Sequence, residues 1–341
     1  MSIKIINPGL FSTIQDLGRI GYQDQGFSTA GVLDRYAYRT GQALIGNEGP
    51  AIECTIIGPT IEFLEDNAFV LIGAEFKATV NEAIIDESTV IAVKKGDVLK
   101  VGQVTKGARG YLLFGKPLTI HKVANSYSTH TRSQIGGFKG RALKSGDVIE
   151  CENDYPYAQN LGLSVPKDVG EVEEKPIQII KGPQFDSFSE EAQQKLVANE
   201  FKISEKSDRM GYRLQGEAIS PNTSADIISE PVALGSIQVP NDGNPIILLN
   251  DKQTVGGYTK IATVCASDLH KLAQMQPNDT IRFEWTTIEE AVKKLEQQEE
   301  AFQNTINNIK EQPIFDISQL RNTSTRINHL LKGELLSLIH I

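Results

Sequence analysis

The sequence predicts a mainly β protein in two lobes, with a few short helices and a helical extension at the carboxyl end. Three observations carry this. Apolar runs of four or five residues recur through the first 285 positions, each closed by a turn signal, which is the pattern of buried strands. Helical periodicity is confined to a few segments. At 341 residues the chain exceeds what one core ordinarily organises, and Val165–Pro176 (VPKDVGEVEEKP) gathers two prolines, a glycine and a run of charges as a linker does.

In chain order, the expected strands are Ile61–Leu64, Ala68–Ile72, Val90–Val93, Tyr111–Phe114, Ile177–Ile180, Ile246–Leu249 and Ile281–Trp285. Asp34 is placed to cap a helix carrying Ala37, Gly41, Leu44 and Ile45, which would end at Gly46-Asn47. Ser187 or Ser189 opens a second helix with Ala192, Leu196 and Val197, and Ser267 a third with Leu269, Leu272 and Ala273. From Thr287 a polar helix would lie on the surface by way of Ile288, Ala291, Val292 and Leu295. The expected divisions are an amino-terminal lobe over 1–165, a second lobe over 176–286 and an extension over 287–341. The last six residues, LSLIHI, read as an assembly artefact.

Three segments look alike: KKGDVLKV at 94–101, KSGDVIEC at 144–151 and QPNDTIRF at 276–283. Each sets Gly-Asp or Asn-Asp before an alternating strand. Common turn chemistry accounts for this, and so does duplication of a barrel-like unit.

Composition narrows the function. A net charge of −9 and 23% charged residues do not suit a nucleic-acid partner. The three cysteines are far apart and lack any zinc or redox spacing, and the five histidines are scattered, so no metal site is expected. The amino terminus reads as neither signal peptide nor anchor, no apolar run approaches the ~20 residues of a membrane span, and a cytoplasmic location is expected. No P-loop, nucleophile elbow or dinucleotide fingerprint occurs. GGFKGRALKSG at 136–146 has the wrong spacing for a phosphate loop and reads as a hairpin.

Four polar clusters remain. PGLFSTIQDLGRIGYQDQG at 8–26 holds Gln15, Asp16 and Arg19, a loop-fixing ion pair or part of a site. AGVLDRYAYRTGQALIGN at 30–47 leads into the first helix. SDRMGYRLQG at 207–216 sets Asp208, Arg209, Tyr212 and Arg213 around Gly211, either a carboxylate clamp or a solvated strand edge. In the last, IQVPNDGNPIILLNDKQTVGGYTKIATV at 237–264, polar groups crowd both sides of a short apolar strand. Its double glycine would let backbone approach a ligand, and Lys260 and Tyr258 could stabilise charge developing on an oxygen.

Together with ECTIIGPTIEF at 53–63 and LIGAEF at 71–76, these phrases resemble the biotin-dependent carboxyltransferase family, also called allophanate hydrolase subunit two, over residues 8 to about 285. The resemblance implies two cyclophilin-like β-barrel lobes with a site in the cleft between them and a small amide or ureido substrate. The nearest branch implies a subunit of ATP-dependent 5-oxoprolinase, a lactam hydrolase. The alternatives are a urea- or allophanate-type carboxyltransferase component, or a regulatory protein that antagonises a kinase inhibitor.

The site residues that the resemblance suggests are Asp208, Arg209, Met210, Gln238, Asp251, Gln253, Thr254, Gly256, Gly257, Tyr258 and Lys260, joined by Asp16 and Arg19 from the first loop. Lys260 and Tyr258 would polarise the amide oxygen, Asp251 would orient them or handle a proton, and the Gly256-Gly257 backbone would donate to the oxyanion. ATP would come through a complex with a KipI-like subunit (PxpB) and a LamB/YcsF-like subunit (PxpA). Biotin would enter only under the carboxyltransferase alternative. It would not be attached to these 341 residues, which contain no Ala-Met-Lys-Met.

Overall fold

The computed structural model describes residues 2–166 and 176–316. The expected linker lies outside the described residues except for Val165, Pro166 and Pro176, as do the last six residues. The fold is the expected one: mainly β, in two barrel-like lobes, with four helices among the described residues, the last of them the extension.

The first lobe is a ten-stranded sheet built around Val98–Phe114, a strand of 17 residues. Its first half pairs with Ile57–Phe63, and its second half with Ala51–Thr55 and Asn67–Phe76. Left-handed Gly102 and Gly107 lie where it passes from one set of partners to the other. Ser2–Asn7 and Phe11–Gln15 extend the sheet. Inside lie Ile3, Ile5, Phe63, Phe69, Leu112 and Phe114, all at or near zero exposure. The second lobe is a nine-stranded sheet that places Gly211–Gln215, Ile246–Leu248, Ser236–Val239 and Val255–Val264 side by side around Phe201, Leu214, Ile237, Ile247 and Ile261. Every apolar run singled out in the sequence lies in or overlaps a strand.

The three look-alike segments fold alike. In each, the Asp carboxylate accepts from the backbone N–H three residues earlier, Asp97 from Lys94, Asp147 from Lys144 and Asp279 from Gln276, at 2.7–2.8 Å. Gly96, Gly146 and Asn278 sit just before it with φ of 79–90°. Each turn then clasps one residue of an antiparallel strand, respectively Phe63, Ile5 and Ile203, whose N–H donates to the Asp carbonyl and whose carbonyl accepts from the Gly or Asn N–H.

Helix α1, Arg35–Ile45, is capped by Asp34, which accepts from Ala37 N at 3.0 Å, and it ends at left-handed Gly46. Gly41 is obligatory in mid-helix because a Cβ there would lie 2.5 Å from Leu113 Cδ1 on the sheet beneath. Helix α2, Glu190–Ala198, is capped by Ser189. Helix α3, Leu269–Ala273, begins after a 3₁₀ turn at Ala266–Asp268, so Ser267 does not cap it. Segment 136–146 is not a hairpin but a string of turns in which Gly136, Gly137 and Gly140 take positive φ.

Helix α4, Ile288–Glu311, starts with a Thr287–Glu290 capping box. Its docking differs from the expectation. Ile288, Val292 and Leu295 remain exposed, while Phe302 and Ile309 from the second half are buried. The reason is where the partner lies: Phe302 meets Tyr36 of α1, Glu299 takes both guanidinium N–H groups of Arg39, and Ile309 joins the cluster between α1 and the first sheet.

Candidate functional site

Where the lobes meet, a turn from each cluster converges. The segment Arg209–Met210 is bonded to the one after Ile246–Leu248, with Leu249 N donating to Met210 O and Asp251 N to Arg209 O, both at 2.9 Å. The Arg209 guanidinium is then shared between lobes. Nε and Nη2 reach Asp251 at 3.1 and 2.9 Å, Nη1 reaches Glu53 of the first lobe, and Nη2 also donates to Gly31 O at 2.6 Å. Gly31 can present that carbonyl because φ is +92° and its missing Cβ leaves room for Gly18 Cα, 2.9 Å from where it would stand.

Glu53, Arg209 and Asp251 are 1%, 6% and 4% exposed. One cation therefore faces two carboxylates in a water-poor seam. Burial alone would lower the Arg209 pKa, but the fields of Asp251 and Glu53 outweigh it and raise it well above the ordinary value, so the guanidinium is permanently charged.

A cavity of about 380 Å³ opens beside this triad. Asp251, Arg209, Asp208 and Met210 line it from the second lobe, and Thr55, Arg109, His130 and Arg132 from the first. Arg109, 5% exposed, crosses the seam to donate to Tyr212 Oη and Ala273 O, both at 2.7 Å. His130 sets Nε2 3.2 Å from Asp251 O, and its Nδ1 accepts from Ser133 N at 3.3 Å. A second cavity of about 490 Å³ adjoins the first through Arg132, Asp208 and Met210; Gln238, Lys252, Gln253 and Tyr258 line it further in.

The structure thus brings together Asp208, Arg209, Met210, Asp251, Gln238, Gln253 and Tyr258 along two contiguous cavities. Other expected residues stand elsewhere. Lys260 lines neither cavity: it is 1% exposed, and its Nζ is held by Glu230 at 2.7 Å and Tyr258 O at 3.3 Å, because its side chain leaves the strand on the side of Glu230. Gly256 and Gly257, the expected oxyanion donors, lie within a strand laddered to Asp226–Pro231 and line neither cavity. Gly256 is needed for space instead, since a Cβ would lie 2.6 Å from Gln238 Nε2. Thr254 uses its carbonyl to accept from Val232 N.

Asp16 does not contact either cavity. It knits the first loop to 126–128 by accepting from Ser126 Oγ, Ser128 Oγ and Tyr127 N at 2.5–2.7 Å. Arg19 is 1% exposed and donates to Ser128 O, leaving Nε and Nη1 without a partner among the described residues. Burial lowers its pKa, opposed by Asp16 and Asp251.

Sequence reasoning missed Glu53, Arg109, His130, Arg132 and Lys252 as site residues. The first two had a signal: each is a lone charge beside an apolar strand run, AIECTI and GARGYLLF, and such a charge is buried only with a partner. His130 and Arg132 sit in the turn-rich stretch, where nothing in the letters marks them.

A family model described as carboxyltransferase domain, subdomain A and B, matches residues 25–285. The chain is 36% identical over 314 residues to a 5-oxoprolinase subunit of Haemophilus influenzae, covering 90% of this chain and 98% of that protein. It is 34% identical over 306 residues to the 5-oxoprolinase subunit of the same name in Escherichia coli K12, covering 88% and 96%. Among solved structures, the urea amidolyase of K. lactis superposes with a TM-score of 0.82 at 29% identity, over 89% of this chain and 20% of that one.

Proposed function

Because the chain belongs to the carboxyltransferase-domain family, subdomains A and B, we propose that it is the corresponding subunit of an ATP-dependent 5-oxoprolinase, opening the lactam of 5-oxo-L-proline to L-glutamate with PxpA-like and PxpB-like partners. The observation that carries this reading is end-to-end correspondence: the two relatives named as 5-oxoprolinase subunits are matched over 98% and 96% of their length.

In this reading the substrate occupies the first cavity, with Asp251 as its proton-handling group. Arg209 holds that carboxylate through two N–H groups, which fixes its direction for taking a proton from the attacking water. Where the substrate reaches past the shared rim into the second cavity, Tyr258, 38% exposed there, donates to the amide oxygen, and Arg132 at that rim balances the charge that develops. Lys260 has no part in the chemistry, being committed to Glu230.

In this reading the nucleotide is bound by a partner, since the sequence has no P-loop and the start of α1 already carries the Asp34 carboxylate.

A second reading, a carboxyltransferase for a ureido substrate, is favoured by the superposition on urea amidolyase. Under it, biotin borne by another polypeptide would supply the carboxyl group, resting against Leu10, Met210 and Met275 of the first cavity.

The test is to co-purify the chain with its genomic neighbours and measure glutamate released from 5-oxoproline with ATP. Release that stops when this chain is omitted is expected. An intact complex that releases none, but carboxylates urea when given carboxybiotin, would replace the first reading with the second.

A further inference from the structure

The second cavity is charged in a way the fold alone does not explain. Lys252 is 3% exposed, and its Nζ reaches only the Gln253 carbonyl, at 3.5 Å, with no carboxylate in reach among the described residues. Burial accordingly holds its pKa below the ordinary lysine value. An ammonium removed from water without a counter-charge is costly, and proteins rarely keep one without use.

The same cavity is lined by Gln238, also 3% exposed, whose Nε2 has no hydrogen-bond partner among the described residues. Gly256 leaves the space that this amide fills. Around them stand the exposed side chains of Arg132, Lys206 and Arg213, none of them in an ion pair among the described residues. Asp208 is the one acid in the lining, and its Oδ1 already accepts from Met210 N and Gly211 N. Four cations thus face one engaged carboxylate; the Gln238 amide lacks an acceptor, and the Lys252 ammonium has only a long contact to a carbonyl.

We propose that the second cavity is an oxyanion subsite, in which Lys252 Nζ and Gln238 Nε2 donate to the oxygens of a carboxylate or phosphoryl group while Arg132 and Arg213 close over its mouth. A bound oxyanion supplies both things that the cavity lacks, negative charge for the ammonium and acceptors for the amide. A backbone N–H donor, a cation or an apolar group supplies neither. Because the two cavities share Arg132, Asp208 and Met210, a ligand anchored here extends towards Asp251. The subsite therefore fixes the charged end of whatever reacts in the first cavity. The assignment rests on burial and charge and stands whichever reaction the complex performs.

The experiment titrates the purified full chain with inorganic phosphate and, separately, with acetate, following heat of binding and the melting temperature. Saturable binding of at least one anion is expected, weakened by about thirtyfold or more in Lys252→Met, as for loss of one partner of a buried charge pair. Arg213→Gln should weaken it severalfold, and the remote surface change Lys144→Gln should leave it unchanged. Tighter phosphate would assign the subsite to a phosphoryl group, and tighter acetate to a carboxylate. Should Lys252→Met fail to fold, a crystal of the unaltered chain grown with the tighter anion decides: density within hydrogen-bond reach of Lys252 Nζ supports the subsite, and its absence there overturns it. Failure of both anions to bind saturably, or equal binding by a folded Lys252→Met, overturns it as well. Neither outcome bears on glutamate release by the complex, so this proposal and the assigned reaction fail separately.

Discussion

Arg209 makes four hydrogen bonds at the seam, two to Asp251 of its own lobe and one each to Glu53 and Gly31 of the other, and the triad has more negative than positive charge even with it present. Removing the guanidinium leaves two carboxylates facing each other without water. Arg209→Met should therefore cost about 3–5 kcal/mol of stability, read as a lowered denaturant midpoint, and should abolish turnover in the complex. Arg209→Lys should recover only part of either, since a point charge cannot serve three acceptors in a plane. Lys260 is the contrasting case. Its partner Glu230 is 39% exposed and can return to water, so Lys260→Met should keep kcat/KM within about threefold; a loss as large as that of an Asp251→Asn variant would put Lys260 back in the chemistry. The two residues show what the letters could convey. A charge set beside glycine and a polar run marks a site, as at DRMG and LNDKQ, but which way a strand residue points is decided by register. Gln238 and Tyr258 line the second cavity while Lys260 meets Glu230 beside Gln184, and no composition argument separates them.

Among the elements, the turns were the most legible because their chemistry is local. Asp three residues after a backbone donor, preceded by a residue tolerant of positive φ, specifies the same clasp at 94–97, 144–147 and 276–279. The strands followed from apolar runs for the same reason. Helix α4 was legible in extent but not in docking, since its apolar stripe lies on its first half and its buried apolar anchors on its second. Polar contacts from the first half join them: Arg39 binds Glu299 in bidentate fashion at 2.7 and 2.8 Å, and Lys294 Nζ reaches Asp268, which is 0% exposed, at 2.8 Å. The Arg39 hydrogen bonds hold the Glu299 carboxyl down to about 2. A depressed folded-state value means that this contribution is complete above the unfolded-state value, near 4.3, and is lost as pH falls through about 2. The stability gap between the native chain and Glu299→Gln should then be constant above about pH 5 and close progressively between about pH 4 and 2. A gap that does not change over that window would mean that α4 is held without this pair.

At the scale of the whole molecule, the cleft exists because the lobes are bolted together beside it, and those bolts were the least legible feature of the sequence. They are single residues 103 to 240 positions apart whose letters look ordinary. Asn250 spans the carbonyls of Ala30, Gly31 and Val32. Leu33 leaves its own lobe to join the core of the other. Gln274 is the most connected: Oε1 accepts from Ala108 N and Arg109 N at 3.1 Å, while Nε2 donates to Arg109 O and to Asp34 Oδ2. Asp34 thereby caps α1 with one oxygen and binds the second lobe with the other. Gly107 cannot carry a side chain here, because a Cβ would stand 2.8 Å from Gln274 Oε1. Truncating Gln274 to Ala strands two backbone donors in the seam, at a cost of about 2–4 kcal/mol. Arg109 lines the first cavity and is held by the same seam, so the loss should spread to the site. Gln274→Ala should speed hydrogen exchange at the amides of Ala108 and Arg109 by at least tenfold and raise KM for the small substrate more than it lowers kcat. Unchanged exchange at those two amides would mean that the other contacts across the seam hold the lobes without Gln274.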